Sequence, residues 1–224
     1  MSFVFAPPPQ AVLPVQDEKN EYFPIHRVYG LGKNYAEPGA EKPLPFYFLK
    51  PEDGVVPVAE GETAKVPVPQ ELDCIYYEME LVVAIGRGGR NLTPEQAAEA
   101  IWGWAAGIDF TIRRKLDDGR PDYYCCKAID RGSPMSWVRP AYRCPMPDPA
   151  DIWLYVNDKK VQAGTTAGLV VKPVDAIVRI SQFWELCQGD LIFMGTPPGS
   201  AGVRPGDKLY GGVNGVGTLR VDIV

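Results

Sequence analysis

Glu78 and Glu80 stand two residues apart in Tyr76-Tyr77-Glu78-Met79-Glu80, and Leu81-Val82-Val83-Ala84-Ile85 follows as an apolar run closed by Gly86. The β-branched run predicts a strand. On a strand, positions i and i+2 point to the same face. Two like charges side by side on such a face repel unless something positive lies between them. Carboxylate oxygens suit hard divalent cations such as Mg²⁺, Mn²⁺ or Ca²⁺. Two readings stand open for this stretch: a divalent-cation site, or a solvated edge strand whose glutamates face water.

The rest of the chain narrows the chemistry. Its single histidine is His26. A zinc site with two or three histidines is therefore excluded, and a Ser-His-Asp or Cys-His triad would have to use His26 itself. The patterns G-x-S-x-G, G-x-G-x-x-G and G-x-x-x-x-G-K are absent, which removes the usual hydrolase elbow and nucleotide loops. Carboxylates, lysines and an oxygen-bound metal remain. The net charge is -5 without a basic block, so nucleic acid is not the expected partner. No apolar run approaches the roughly 20 residues of a membrane span, and residues 1–10 lack the features of a secretory signal. Cys74, Cys125, Cys126, Cys144 and Cys187 are odd in number and lack metal-site spacing. They read as reduced thiols in a cytoplasmic protein.

The elements that must position the glutamates are short. Twenty-three prolines and 23 glycines favour strands and turns over long helices. Residues 1–22 are expected as an extended lead-in, with residues 23–224 as one domain. Strands are expected at Arg27-Val28-Tyr29-Gly30-Leu31-Gly32, at Phe46-Tyr47-Phe48-Leu49-Lys50 and at residues 191–194, with two more in residues 208–224. Thr93-Pro94-Glu95-Gln96 combines a capping box with proline at the first helical position. That helix is expected to continue through Ile101, Trp102 and Ala105 to a stop near Gly107. Residues 108–113 read as an alternating strand with Asp109 set among apolar neighbours. Residues 152–162 read as a hairpin turning near Asn157-Asp158, and a second helix runs from Pro173 toward a stop at Gly189. The expected fold is mixed α/β and β-rich: a rolled sheet or distorted barrel with two or three short helices.

Six motifs in order resemble the fumarylacetoacetate hydrolase superfamily: Gly32-Lys33-Asn34-Tyr35-Ala36, Phe48-Leu49-Lys50-Pro51, Tyr77-Glu78-Met79-Glu80-Leu81, residues 107–113, Lys127 with Asp130, and Gly195-Thr196-Pro197. Phe23-Pro24-Ile25-His26-Arg27 and Tyr210-Gly211-Gly212-Val213 look most like the fumarylpyruvate hydrolase branch. The resemblance implies a β-roll, a Mg²⁺ or Mn²⁺ ion on Glu78, Glu80 and Asp109, and a homodimer. It implies Lys127 as the active-site lysine and Glu41 as a water-activating carboxylate. Tyr35, Lys50, Gly195 and Thr196 would lie at the substrate, a small 2-keto acid or acylpyruvate. Three carboxylates on a hard ion leave positions open for a chelating keto acid. The resemblance gives His26 no catalytic part.

Two departures bear on the reaction. The resemblance places a histidine at position 38, paired with Glu41, but this chain has Pro38, which can neither give nor take a proton through its side chain. Where the family pattern has R-D-x-Q, this chain has Arg113-Arg114-Lys115-Leu116. Three functions compete. The first is metal-dependent hydrolysis of a C–C bond in an acylpyruvate, and the second is isomerisation, tautomerisation or decarboxylation of a 2-keto acid through an enolate. The third is a non-catalytic metal-binding protein, which the intact metal set disfavours. Closeness to the fumarylpyruvate branch favours hydrolysis, and Pro38 favours the second function.

Overall fold

The structure, a computed structural model, describes residues 3–36, 44–116, 118–122 and 125–224. Its organising strand is Met79–Ile85, buried at every position. Leu191–Phe193 pairs antiparallel with it on one side and Ile101–Ile108 on the other. These three are the centre of a mixed sheet that continues to Val28–Gly32 and Phe46–Lys50 at one edge, and to Ser133–Ser136 and Val55–Val58 at the other. A second sheet has the order Lys159–Thr165, Asp151–Val156, Lys208–Val213, Gly217–Ile223, Thr63–Val66. The architecture is the expected β-rich mixed fold, with two α-helices, Pro94–Ala100 and Pro173–Phe183, among the described residues.

The period of the central strand divides the interior. Met79, Leu81, Val83 and Ile85 enter one core with Ile152, Leu154, Leu209 and Val221 of the second sheet and Ala97, Ile177 and Ile180 of the helices. Val82 and Ala84 enter another, with Leu13, Phe23 and Val28. Continuous apolar runs are what a strand covered on both faces requires. Leu13 and Phe23 give the N-terminal segment a place in this second core: Val12–Pro14 pairs with Tyr22–Pro24, with turns between them at residues 16–17 and 19–20.

One element differs from the sequence expectation. Thr93 does form its capping box with Gln96, but the helix stops at Ala100, and Ile101–Ile108 is a strand. The spacing of Ala97, Ala98, Ile101, Trp102 and Ala105 suits a helical face, yet the same residues are small or aromatic enough to line a buried strand. Gly103 and Gly107 would each cost a helix about 1 kcal/mol, and the ladder of Met79–Ile85 needs a partner on this side. The expected hairpin is present, with Asn157 at φ 48° and Asp158 at φ 65°, the pair of positive angles that a two-residue type I′ turn demands.

Gly103→Ala separates the two readings of this segment. In a helix the change would stabilise by about 1 kcal/mol. In the strand, the new Cβ would lie 2.5 Å from the Arg139 carbonyl oxygen. The expected outcome is a loss of about 1–3 kcal/mol from overpacking, measured by urea unfolding.

Candidate active site

The ladder register brings the acids together. Met79 pairs with Ile108, so Glu78 and Asp109 continue as neighbours just past the ends of their strands, and the Asp109 N–H donates to Glu78 O at 2.8 Å. Glu80 lies on the strand itself. One oxygen from each of Glu78, Glu80 and Asp109 lies within 4.8 Å of the others. Glu78 sits in the break between Ile75–Tyr76 and Met79–Ile85, which frees its side chain to turn toward the other two.

Two lysines hold this negative charge. Lys127 Nζ donates to Glu78 Oε2 at 2.7 Å, to Asp109 Oδ2 at 2.5 Å and to Thr111 Oγ1 at 2.7 Å. Lys50 Nζ donates to Asp109 Oδ1 at 2.7 Å, Phe110 O at 3.2 Å and Lys127 O at 3.1 Å. Burial alone would raise the Asp109 pKa, but Lys50 and Lys127 together hold it below its ordinary value. Burial, with Asp109 and Glu78 beside it, pushes Glu80 well above the usual carboxylate range. Burial also opposes the Lys127 ammonium, but Asp109, Glu78 and Glu80 more than offset it and raise its pKa.

A cavity of about 850 Å³ opens over the cluster. Glu78, Glu80, Thr111, Arg113, Lys127 and Thr196 are among its lining residues. A slightly larger cavity, about 980 Å³, lies on the second sheet around Trp153 and Tyr210, but neither potential metal-ligating cluster of the described residues is there. The second such cluster, His26 with Cys187 and Asp190, already holds a cation. Arg27 reaches His26 Nδ1 at 3.2 Å, Cys187 Sγ at 3.4 Å and Asp190 Oδ1 at 3.5 Å.

A family model for the fumarylacetoacetate (FAA) hydrolase C-terminal region matches residues 27–224. The chain belongs to the fumarylacetoacetate hydrolase family. A crystal structure of fumarylpyruvate hydrolase from Pseudomonas aeruginosa, in complex with Mn²⁺ and pyruvate, superposes with a TM-score of 0.92. It is 37% identical, covering 100% of this chain and 99% of that one. A fumarylpyruvate hydrolase of Ralstonia sp is 36% identical over 183 residues, 80% of this chain and 92% of the relative. A mitochondrial oxaloacetate tautomerase of Oryza sativa subsp. japonica is 31% identical over 206 residues, 88% and 89% of the two chains. The family thus embraces hydrolases and tautomerases at similar distance from this chain.

The carboxylate cluster fits a divalent metal by its chemistry. It offers only oxygen donors, as hard cations require. Glu80 Oε2 accepts the Gly195 N–H at 2.6 Å, yet burial, then Asp109 and Glu78, hold its pKa raised. The Lys127 ammonium, between Glu78 and Asp109, marks where positive charge is stable.

Other expected site residues take more definite places. Lys50 gives its three protons to protein oxygens, so it braces Asp109, and it is not among the residues that line the cavity. The Gly195 N–H is likewise engaged by Glu80. Thr196 lines the cavity and donates to Met79 O at 2.8 Å. The Tyr35 hydroxyl is buried without a hydrogen-bond partner among the described residues; burial, then Glu80, raises its pKa. Glu41 and Pro38 lie outside the described residues. His26 is set against Asp190 at 2.8 Å, away from the cavity lining.

Three supporting residues had no assigned role from sequence. Gln162 donates to Thr196 Oγ1 at 2.8 Å and Pro197 O at 2.7 Å while accepting from Met79 N at 3.1 Å. It ties the Asp151–Val156/Lys159–Thr165 hairpin to both site loops. Asn34 staples Met194 O and Val171 in the same manner. Arg113 stacks over Tyr76 at 4.2 Å and reaches Glu78 Oε1 at 3.4 Å and Ser200 Oγ at 2.8 Å.

Lys50→Met tests the bracing role. It would leave Asp109 Oδ1 and two buried carbonyls without their donor. Removing one partner of a buried pair costs about 3–5 kcal/mol, and the remaining Lys127 contact sets the expectation at the lower end. Urea midpoints measure it; a loss under about 1 kcal/mol, typical of exposed ion pairs, would contradict the role.

Proposed function

We propose that this chain is a divalent-metal-dependent hydrolase that cleaves the C–C bond of a small acylpyruvate of the fumarylpyruvate type. The observation that carries this reading is the full-length likeness to a fumarylpyruvate hydrolase described with Mn²⁺ and pyruvate, joined to the cluster of half-buried Glu78 with buried Glu80 and Asp109. These three residues would hold Mg²⁺ or Mn²⁺. When bound, the ion supplies Lewis-acid stabilisation of the negative charge that develops on the keto oxygen. Lys127, already oriented by Glu78, Asp109 and Thr111, would turn its ammonium to the substrate carboxylate or enolate oxygen. Arg113 would offer a further donor to the acid groups, while Thr196, whose hydroxyl donates to Met79 O, would shape the cavity wall. Glu41 is the candidate base for the attacking water, and the balanced outcome is fumarylpyruvate plus water giving fumarate and pyruvate.

A second reading, tautomerisation or decarboxylation of a 2-keto acid, is favoured by one observation. The only imidazole of the chain is His26, which is held at Asp190 outside the cavity lining. Enolate formation needs the charge-stabilising centre and less help from water, whereas hydrolysis needs a positioned base. We further assign the chain to a cytoplasmic, reducing setting, supported by an odd number of cysteines, five, without metal-site spacing. Among the described residues no helix is long and apolar enough to cross a membrane. The homodimer belongs to the same reading, and light scattering of the purified chain tests it.

Mn²⁺-loaded protein incubated with fumarylpyruvate and with oxaloacetate, followed by NMR in deuterated water, decides between the readings. Hydrolysis yields fumarate and pyruvate; the second reading yields deuterium beside the keto group without cleavage of fumarylpyruvate. Under the hydrolase reading Pro38→His raises cleavage, within the roughly 10²–10⁴ range of a general base, only where water activation limits the rate. Glu80→Gln and Asp109→Asn are expected to lower Mn²⁺ affinity in calorimetry. Unchanged affinity in both would remove the metal assignment.

A further inference from the structure

Cys125 and Cys126 are adjacent, directly before Lys127. The Ala128 N–H donates to Cys125 O at 3.1 Å, closing a turn whose two central residues are Cys126 and Lys127. Cys126 O accepts the Ile112 N–H at 2.8 Å, which ties the turn to the segment leaving Asp109. Cys126 also lines the active-site cavity. Cys125 lies beside it, its thiol donating to Asp122 Oδ2 at 3.4 Å. The chain therefore places a vicinal dithiol on the turn that aims its site lysine, with one thiol reachable from the cavity.

We propose that Cys125 and Cys126 form a redox modification site, in which a peroxide entering the cavity converts the pair to a vicinal disulfide and withdraws Lys127 from Glu78 and Asp109. The Cys126 thiol, on losing its proton, attacks one peroxide oxygen; the O–O bond breaks, sulfur is oxidised to sulfenic acid, and water leaves. Cys125 then attacks that sulfur, the S–S bond forms, and a second water departs. In sum, two thiols and one hydrogen peroxide give one disulfide and two waters. Burial raises both thiols above their ordinary pKa, so the pair rests protonated and its reaction with peroxide quickens as pH rises.

The turn explains why the site would respond. Successive Cα atoms are about 3.8 Å apart across a trans peptide, below the roughly 4.4–6.8 Å that disulfides usually span. The eight-membered ring can close only if the backbone of the turn is reshaped. The Cys125–Ala128 and Cys126–Ile112 hydrogen bonds would be lost, and the Lys127 carbonyl would shift beneath Lys50. Strain of this kind also makes a disulfide easily reduced, so the change is reversible. A displacement of about 1 Å at a positioning group can cost on the order of 10²-fold in rate.

The test treats the whole protein with dilute hydrogen peroxide and then with dithiothreitol. Denatured thiol titration is expected to fall from five to three, with a loss of two hydrogen masses mapped to the peptide holding Cys125 and Cys126. Hydrogen exchange at Ile112 and Ala128 is expected to accelerate and to return on reduction. Turnover of whichever keto acid the enzyme accepts should fall about 10-fold or more and recover. Cys125→Ser keeps a hydroxyl for Asp122 and should stop at oxidation of Cys126, with neither the two-hydrogen mass loss nor the faster exchange at Ile112 and Ala128; Cys126→Ser is the second variant should the first fold poorly. A disulfide between other cysteines, overoxidation of a single cysteine, or a mapped vicinal disulfide with unchanged exchange at Ile112 and Ala128 would each overturn the proposal. The exchange readout holds whichever reaction the site performs.

Discussion

Three carboxylates and two ammonium groups gathered in one largely buried corner are the constraint on which the rest of the structure depends. Asp109 has no exposed side-chain surface, and Lys50 has 1%. Stripping such charges of water costs several kcal/mol per ion unless each is met by partners of good geometry. Every element around the corner supplies one. The register of Met79–Ile85 against Ile101–Ile108 delivers the Glu78–Asp109 contact. Phe46–Lys50 brings in Lys50 at the end of an edge strand. The loop after Leu191–Phe193 provides the Gly195 N–H. Gly195 has φ 92°, and a Cβ there would lie 2.8 Å from Asn34 Cβ, so glycine is what lets this loop approach Glu80.

Much of this corner was legible in the sequence because its signals are local. The E-x-E spacing carries its own geometry, since i and i+2 share a face. Thr93 with Gln96, and Asn157 with Asp158, likewise encode their cap and turn within four residues. Ile101–Ile108 was misread because alanine and tryptophan at those spacings satisfy a helical face and a buried strand equally. Only the unmet ladder of a distant strand decides between them. Gln162 and Asn34 left no local sign of their roles either. An amide that bridges three segments is recognisable only after the hairpin and the glycine loop have met. The family pattern sets Lys50 beside the substrate, and what the sequence does not reveal is that its ammonium also holds Asp109 and two carbonyls.

The family contains both hydrolases and tautomerases at comparable similarity to this chain, and the site gives a physical reason. In the proposed reading, holding a 2-keto acid and stabilising its enolate would use the carboxylate cluster and Lys127. What would separate the two outcomes is a base for water, a single proton acceptor that sequence can gain or lose without touching the charged cluster. The family resemblance expects a histidine where this chain has Pro38. Lys127 sits on a four-residue turn, which Ile112 and Lys50 tie to the rest of the corner.

Anomalous diffraction from crystals soaked in Mn²⁺ tests the central claim most directly. The account expects one strong peak within bonding distance of oxygens from Glu78, Glu80 and Asp109, with Lys127 displaced from its bridge between Glu78 and Asp109. A peak elsewhere, or none at this cluster with Lys127 still bridging the two acids at saturating Mn²⁺, would mean that the lysine alone satisfies the carboxylates and that the site is not a metal centre.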